Sequence, residues 1–191
     1  MEKKETKMIE KAYKHGFECE RNYRGCAQCA ITGIMDALNL KNDFIYKAGS
    51  GLAGGGGESI DGSCGGYSGG TMMMSAFFGR TREEEATTKG RKDKYVSFGM
   101  AAELHDIFVK EYGSVICKEI HKKVFGGRFF YLRDDKDKQL FREAGAHKDD
   151  DKCCAVVGNG AKWATEIILK EIKKRGLKLE DFKDLIYPKQ K

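Results

Sequence analysis

The residues of this sequence best equipped for chemistry are its seven cysteines, six of which fall in "RGCAQCAITG", "DGSCGGYSGG", "GSVICKEI" and "DKCCAVVGNG". Cys26 and Cys29 form a CxxC at a predicted helix start, and Cys64 stands at the glycine-rich entry to another. Cys153 and Cys154 occupy the first turn of the last long helix, and Cys117, just after a further helix, completes a set of four. Helix N-termini present unpaired backbone N–H groups and a positive dipole end, which stabilise thiolates and hydrogen-bond the sulfurs of a cluster. Clustered thiols in a chain without an export signal point to metal binding or redox work, and their odd number argues against an extracellular disulfide scaffold.

Three chemistries fit these residues. Four thiolates satisfy the ligand requirement of a [2Fe–2S] or [4Fe–4S] cluster, with glycine-loop N–H groups, Gly65, Gly66 and Gly69 among them, donating to sulfur. A structural zinc site uses the same residue type but usually draws it from two close pairs, whereas only Cys26 and Cys29 form a CxxC here. Without metal, Cys26 and Cys29 make a dithiol in which the first thiol attacks and the second resolves a mixed disulfide. The preceding "CERNYRG" carries no thioredoxin-like strand. Cys29 and Cys154 are alternate ligands beside Cys26 and Cys153, and Cys19 reads as a partly buried free thiol. His121, four residues after Cys117, is a candidate to tune or replace a ligand, while His15, His105 and His147 show no metal spacing.

These cysteines need elements to position them. A single proline, Pro188, and a recurrent apolar period of three to four residues predict a mainly helical chain. Helices are expected over 3–15, 26–39, 71–78, 97–112 and 152–175, before a short C-terminal helix and a tail within 176–191. In the second, Ala27, Ile31, Ile34 and Leu38 make one buried stripe; in the last, Val157, Ala161, Ala164 and Ile168 share a face. Phe98, Ala102, Ile107 and Val109 are among the apolar positions of the fourth. Residues 47–70 hold too many glycines for a helix or a stable strand and are expected to form a loop wrapped closely around the cysteines or a neighbouring subunit. The formal G-x-G-x-x-G of "GSGLAG" runs on into further glycines and lacks the strand–helix context of a dinucleotide site. "VFGGRFFYLR" suggests one short hairpin over 124–133, and "HKDDDK" a cap for the last helix. The expected architecture is a single-domain helical bundle over residues 1–191 with one long glycine-rich loop.

Composition narrows the function classes. Of 191 residues, 40% are hydrophobic and 34% charged, a balance typical of soluble globular chains. No apolar run is long enough to span a bilayer, and the N-terminus lacks a secretory core, so a cytoplasmic location is expected and no membrane partner. The net charge of +6 is spread among carboxylates rather than blocked together, which does not signal nucleic-acid binding. The expected partner is a redox protein, and the glycine loop with the apolar third helix suits close packing in a homodimer.

In their order along the chain, "GCAQCAI", "SCGGYSGG", "GSVICKEI" and "CCAVVGNGAKWATEIILKE" resemble the motifs of the redox-active C_GCAxxG_C_C family across roughly residues 10–172. The resemblance implies a helical fold and a four-cysteine site of redox function, and matching motif positions assigns its ligands to Cys26, Cys64, Cys117 and Cys153. A related region of split-Soret cytochromes is associated with an iron–sulfur centre, which favours an iron–sulfur cluster and electron transfer here. Two features depart from the family pattern: its "CGAxxG" stands here as "CGGYSG", and the segment between Cys117 and Cys153 is expanded. No haem-attachment CxxCH is present, so no haem function is carried over.

Overall fold

Ala27, Ile31, Ile34 and Leu38 are all buried along one side of α2 (Cys26–Leu38), as their spacing predicts. The same holds for Val157, Ala161, Ala164 and Ile168 on α8 (Cys153–Lys174), the central helix of the bundle. In the computed structural model, which describes residues 3–182, α8 packs on α1 (Lys3–Asn22), α2, α4 (Gly65–Phe78) and α5 (Thr88–Tyr112). The shorter α3 (Asp43–Ala48), α6 (Cys117–Val124) and α7 (Asp135–Glu143) complete the fold. The chain is mainly α, and the tail beyond residue 182 lies outside the described residues. No described helix is long and apolar enough to cross a membrane.

Several elements differ from expectation for identifiable reasons. The glycine-rich stretch is not loop throughout, because α4 begins at Gly65 and takes in Gly66, Gly69 and Gly70. These glycines let backbones touch: a Cβ on Gly69 would lie 2.4 Å from the carbonyl oxygen of Ala27 on α2, and one on Gly160 of α8 would lie 2.4 Å from that of Gly66. Tertiary contact here overrides the weak intrinsic helix propensity of glycine. Helix α1 runs on to Asn22, and α5 starts at Thr88, where the Thr87 hydroxyl accepts a hydrogen bond from the Gly90 N–H at 2.9 Å. The buried face of α5 is Met100, Leu104, Phe108 and Tyr112; Phe98 and Val109 face solvent.

The predicted hairpin over 124–133 is absent, and no strand occurs among the described residues. Gly126 and Gly127 instead take positive φ to end α6, the Gly127 N–H donating to the Lys122 carbonyl at 2.7 Å. The freed aromatics Phe125 and Phe130 pack with Leu132 and with Phe141 of α7, a helix the periodicity did not predict, as a small second core. The acidic run does not cap α8: Lys152 holds the N-cap position without a side-chain bond, and Asp150 pairs with Arg21. Met73, Met74, Phe77 and Phe78 of α4 are buried within the chain itself.

Candidate functional site

Four helices begin at one place. Cys26 is the first residue of α2, Cys117 of α6 and Cys153 of α8, while Cys64 is the N-cap residue of α4. Cys117, expected from the sequence just after a helix, also opens the next one. All four side chains line one cavity of about 260 Å³. Its lining combines apolar side chains, Ile120, Leu132, Phe141, Val156 and Val157, with the charged Arg24, Glu58, Lys138 and Arg142.

Local backbone chemistry explains how the four are held. The turn between α1 and α2 places Arg24 and Gly25 at positive φ, which reverses the chain so that Cys26 opens α2. Between α3 and α4, Gly54, Gly55, Gly56 and Gly57 all have positive φ, a run that only glycine tolerates. The loop they form reaches across to the start of α6: the Cys117 N–H donates to the Gly62 carbonyl at 2.9 Å, the Lys118 N–H to that of Ile60 at 2.9 Å, and the Cys64 N–H to that of Val115 at 2.8 Å. Ile60 is itself at φ 60, a costly conformation for a β-branched residue, and it is held there by full burial and these bonds. On the far side, the Lys138–Glu58 ion pair at 2.6 Å and the Arg133 Nε–H bond to the Gly57 carbonyl at 2.9 Å fasten the loop to the segment around α7. The expanded stretch between Cys117 and Cys153 therefore builds a wall of the cavity.

Backbone N–H groups point at two of the sulfurs. Gly54 N–H donates to Cys26 Sγ at 3.3 Å, with Gly65 N–H also in reach, and Gly66 and Tyr67 N–H groups serve Cys64. Gly65 is pressed so closely on Cys26 that a Cβ there would overlap its sulfur. Gly69 serves the packing of α4 on α2, and Gly65, Gly66 and Gly69 are not among the residues lining the cavity. Burial pushes all four thiols above the ordinary thiol range; Glu20 adds to the rise at each, and neighbouring sulfurs add to it at Cys26, Cys117 and Cys153. Cys64, with two N–H donors offsetting burial, is pushed up to about 11.

Raised thiols favour the neutral form in the fold. The metal-free protein should therefore keep this contribution at neutral pH and lose it as pH rises above about 8.5, the unperturbed thiol value, toward the folded ones. Thermal unfolding of chelator-treated protein is expected to show a falling midpoint through that alkaline window; a flat profile would refute the assignment.

Three further polar groups line the cavity with an atom lacking any hydrogen-bond partner: Glu20 Oε2, His121 Nδ1 and His147 Nδ1. Their other atoms are engaged, His147 Nε2 with Glu20 Oε1 at 3.4 Å and His121 Nε2 with Cys117 Sγ at 3.7 Å. Burial lowers His121 to about 4, so it is neutral at pH 7. Glu20 and His147 carried no signal in the sequence, since nothing in the spacing links helix α1 to the loop before α8. A second depression shares Arg24, Arg142 and His147 with this cavity and is lined also by Arg21 and Lys148, so its lining is rich in basic side chains.

The remaining thiols face elsewhere. Cys154 is buried with its sulfur 3.9 Å from the Ala146 carbonyl, and Cys29 donates to the Arg24 carbonyl at 3.1 Å on the side of α2 that meets α1. Neither lines the cavity. Among the described residues, no three His, Cys, Asp or Glu side chains converge closely enough to hold a single metal ion.

Compared with known families, residues 25–167 match the model described as "Putative redox-active protein (C_GCAxxG_C_C)". No curated protein and no solved structure matches the chain.

Proposed function

Because the chain belongs to the C_GCAxxG_C_C family of redox-active proteins, we propose that Cys26, Cys64, Cys117 and Cys153 hold an iron–sulfur cluster and that the protein transfers single electrons to and from a redox partner. The observation that carries this reading is the meeting of four thiols, each at the start of a different helix, around one cavity with backbone N–H groups aimed at Cys26 and Cys64. A single zinc ion would need all four sulfurs within about 2.3 Å of one point. Thiols that surround a cavity without converging suit a larger inorganic body held between them.

When bound, such a cluster supplies one-electron chemistry at a potential set by charge, hydrogen bonds to sulfur and solvent access. The chain's own residues act on each of these. The N–H groups of Gly54, Gly65, Gly66 and Tyr67 and the four positive helix ends stabilise anionic sulfur, so they oppose the desolvation that keeps the empty thiols protonated. Ile120, Leu132, Phe141, Val156 and Val157 give the cavity apolar lining, which limits its hydration.

Metal and acid-labile sulfide analysis of protein purified without oxygen, with a visible spectrum, tests the reading. Iron and sulfide are expected in near-equal amounts, with charge-transfer absorption that bleaches on reduction. Homogeneous protein that stays colourless after anaerobic reconstitution with iron and sulfide would overturn it.

A further inference from the structure

Cys19 of α1 and Cys29 of α2 come together beside the cavity, although ten positions separate them in sequence. They pack with Ala30 and with Val157, which also lines the cavity, while Cys26 lies against this cluster, and the two thiols are hydrogen-bonded to each other. Both are free thiols, and neither lines the four-cysteine cavity. The Thr32 hydroxyl also reaches the Cys19 sulfur, so that sulfur has two hydrogen-bonding neighbours, while the Cys29 sulfur lies 3.1 Å from the Arg24 carbonyl. Cys19 lies before the segment that matches the family, so the pair is a feature of this chain beyond the family match.

We propose that Cys19 and Cys29 form a second redox site, a dithiol that small hydroperoxides oxidise reversibly to a disulfide joining the end of α1 to α2. This goes beyond the electron-transfer reading, because it is two-electron chemistry on different sulfurs. The two positions have different roles. Cys19 is 9% exposed and Cys29 only 1%, so the outer sulfur meets the oxidant and the inner one resolves. In the first step Cys19 attacks one peroxide oxygen; the S–O bond forms as the O–O bond breaks, and the other oxygen leaves with a proton as water or alcohol. In the second, the Cys29 sulfur attacks the resulting sulfenic acid, the S–S bond forms, and the hydroxyl leaves with the Cys29 proton as water. Overall two thiols are oxidised, one hydroperoxide is reduced, and a cellular thiol reductant restores the pair by exchange. Glu20, the residue after Cys19, lies in the cavity wall, so closing the disulfide would bear directly on the position of one cavity-lining carboxylate.

The test is peptide mapping of the full-length protein after exposure to hydrogen peroxide. Remaining thiols are alkylated, the protein is digested with trypsin without reduction, and linked peptides are assigned by fragmentation. Arg21 and Arg24 lie between the two cysteines, so the link joins separate peptides. A Cys19–Cys29 link that disappears on treatment with dithiothreitol is expected, and in Cys29→Ala a sulfenic acid on Cys19, trapped by dimedone, should replace it. Cys19 recovered unmodified, or linked to Cys26 or any other cysteine, would overturn the proposal. Iron content is measured on untreated protein and bears only on the cluster reading, so the two can fail separately.

Discussion

Cys64→Ser is expected to abolish bound iron and sulfide while leaving the helical fold intact. The substitution is chosen because Cys64 is the N-cap of α4, where the Gly66 and Tyr67 N–H groups face its side chain and can be met by a hydroxyl oxygen as well as by sulfur. Serine is close in shape and among the best N-cap residues, so the variant should gain rather than lose in helix stability. Thermal unfolding of the metal-free variant therefore reports the fold, and metal analysis reports the site. Removing even an outer partner of a metal ligand commonly lowers affinity by about 10–100-fold, and loss of a direct ligand should exceed that. Cys154→Ser is the matched control: one residue along α8 from Cys153, it turns its sulfur toward the Ala146 carbonyl and away from the cavity, so its iron content should equal that of the native chain. Iron retained in Cys64→Ser, or lost equally in both variants, would break the ligand assignment.

The second large effect concerns the fold itself. Gly69→Ala should destabilise the protein by about 3 kcal/mol, at the upper end of what overpacking a well-filled core produces. A methyl at this position would meet the Ala27 carbonyl oxygen at 2.4 Å and the Ala30 methyl at 3.1 Å, and a helix backbone cannot swing aside as a flexible side chain would. The gain of about 1 kcal/mol in helix propensity on replacing glycine is too small to offset this. Gly99→Ala on α5 separates the two effects, because nothing lies within 4 Å of its added methyl. That variant should be more stable by about 0.5–1 kcal/mol. For a chain of this size, 3 kcal/mol corresponds to a midpoint lower by about 6–12 °C. Equal urea midpoints for Gly69→Ala and the native chain would show that the α2–α4 contact is not tightly packed. Because α2 and α4 carry Cys26 and Cys64 at their starts, prying them apart should weaken the cavity along with the fold.

Helical character and the main helices were legible because their apolar positions repeat with the period of the helix, and burial then follows from geometry, as at Ile31, Ile34, Ala161 and Ile168. The order of the four cysteine motifs was legible too, since it is a property of the linear chain. Glycine in α4 misled because its propensity is a local quantity, whereas Gly66, Gly69 and Gly70 are selected by how near another helix comes. Phe129 and Phe130 misled in the same way: a strand-like composition was claimed by a side-chain cluster with Phe125 and Phe141 instead of by a hairpin partner.

What the sequence by itself determined is a mainly helical chain with thiols at several predicted helix starts, because periodicity and terminal position are both written in one dimension. Spacing left Cys29 and Cys154 as alternates beside Cys26 and Cys153, and only the tertiary structure separated them from the cavity. Successive residues turn by about 100° around a helix axis, so Cys153 and Cys154 point to different neighbours, and only packing sets the rotation of each helix. That rotation turned Cys26 and Cys153 into the cavity, sent Cys29 to Cys19, and brought Glu20 and His147, unrelated in sequence, to its wall.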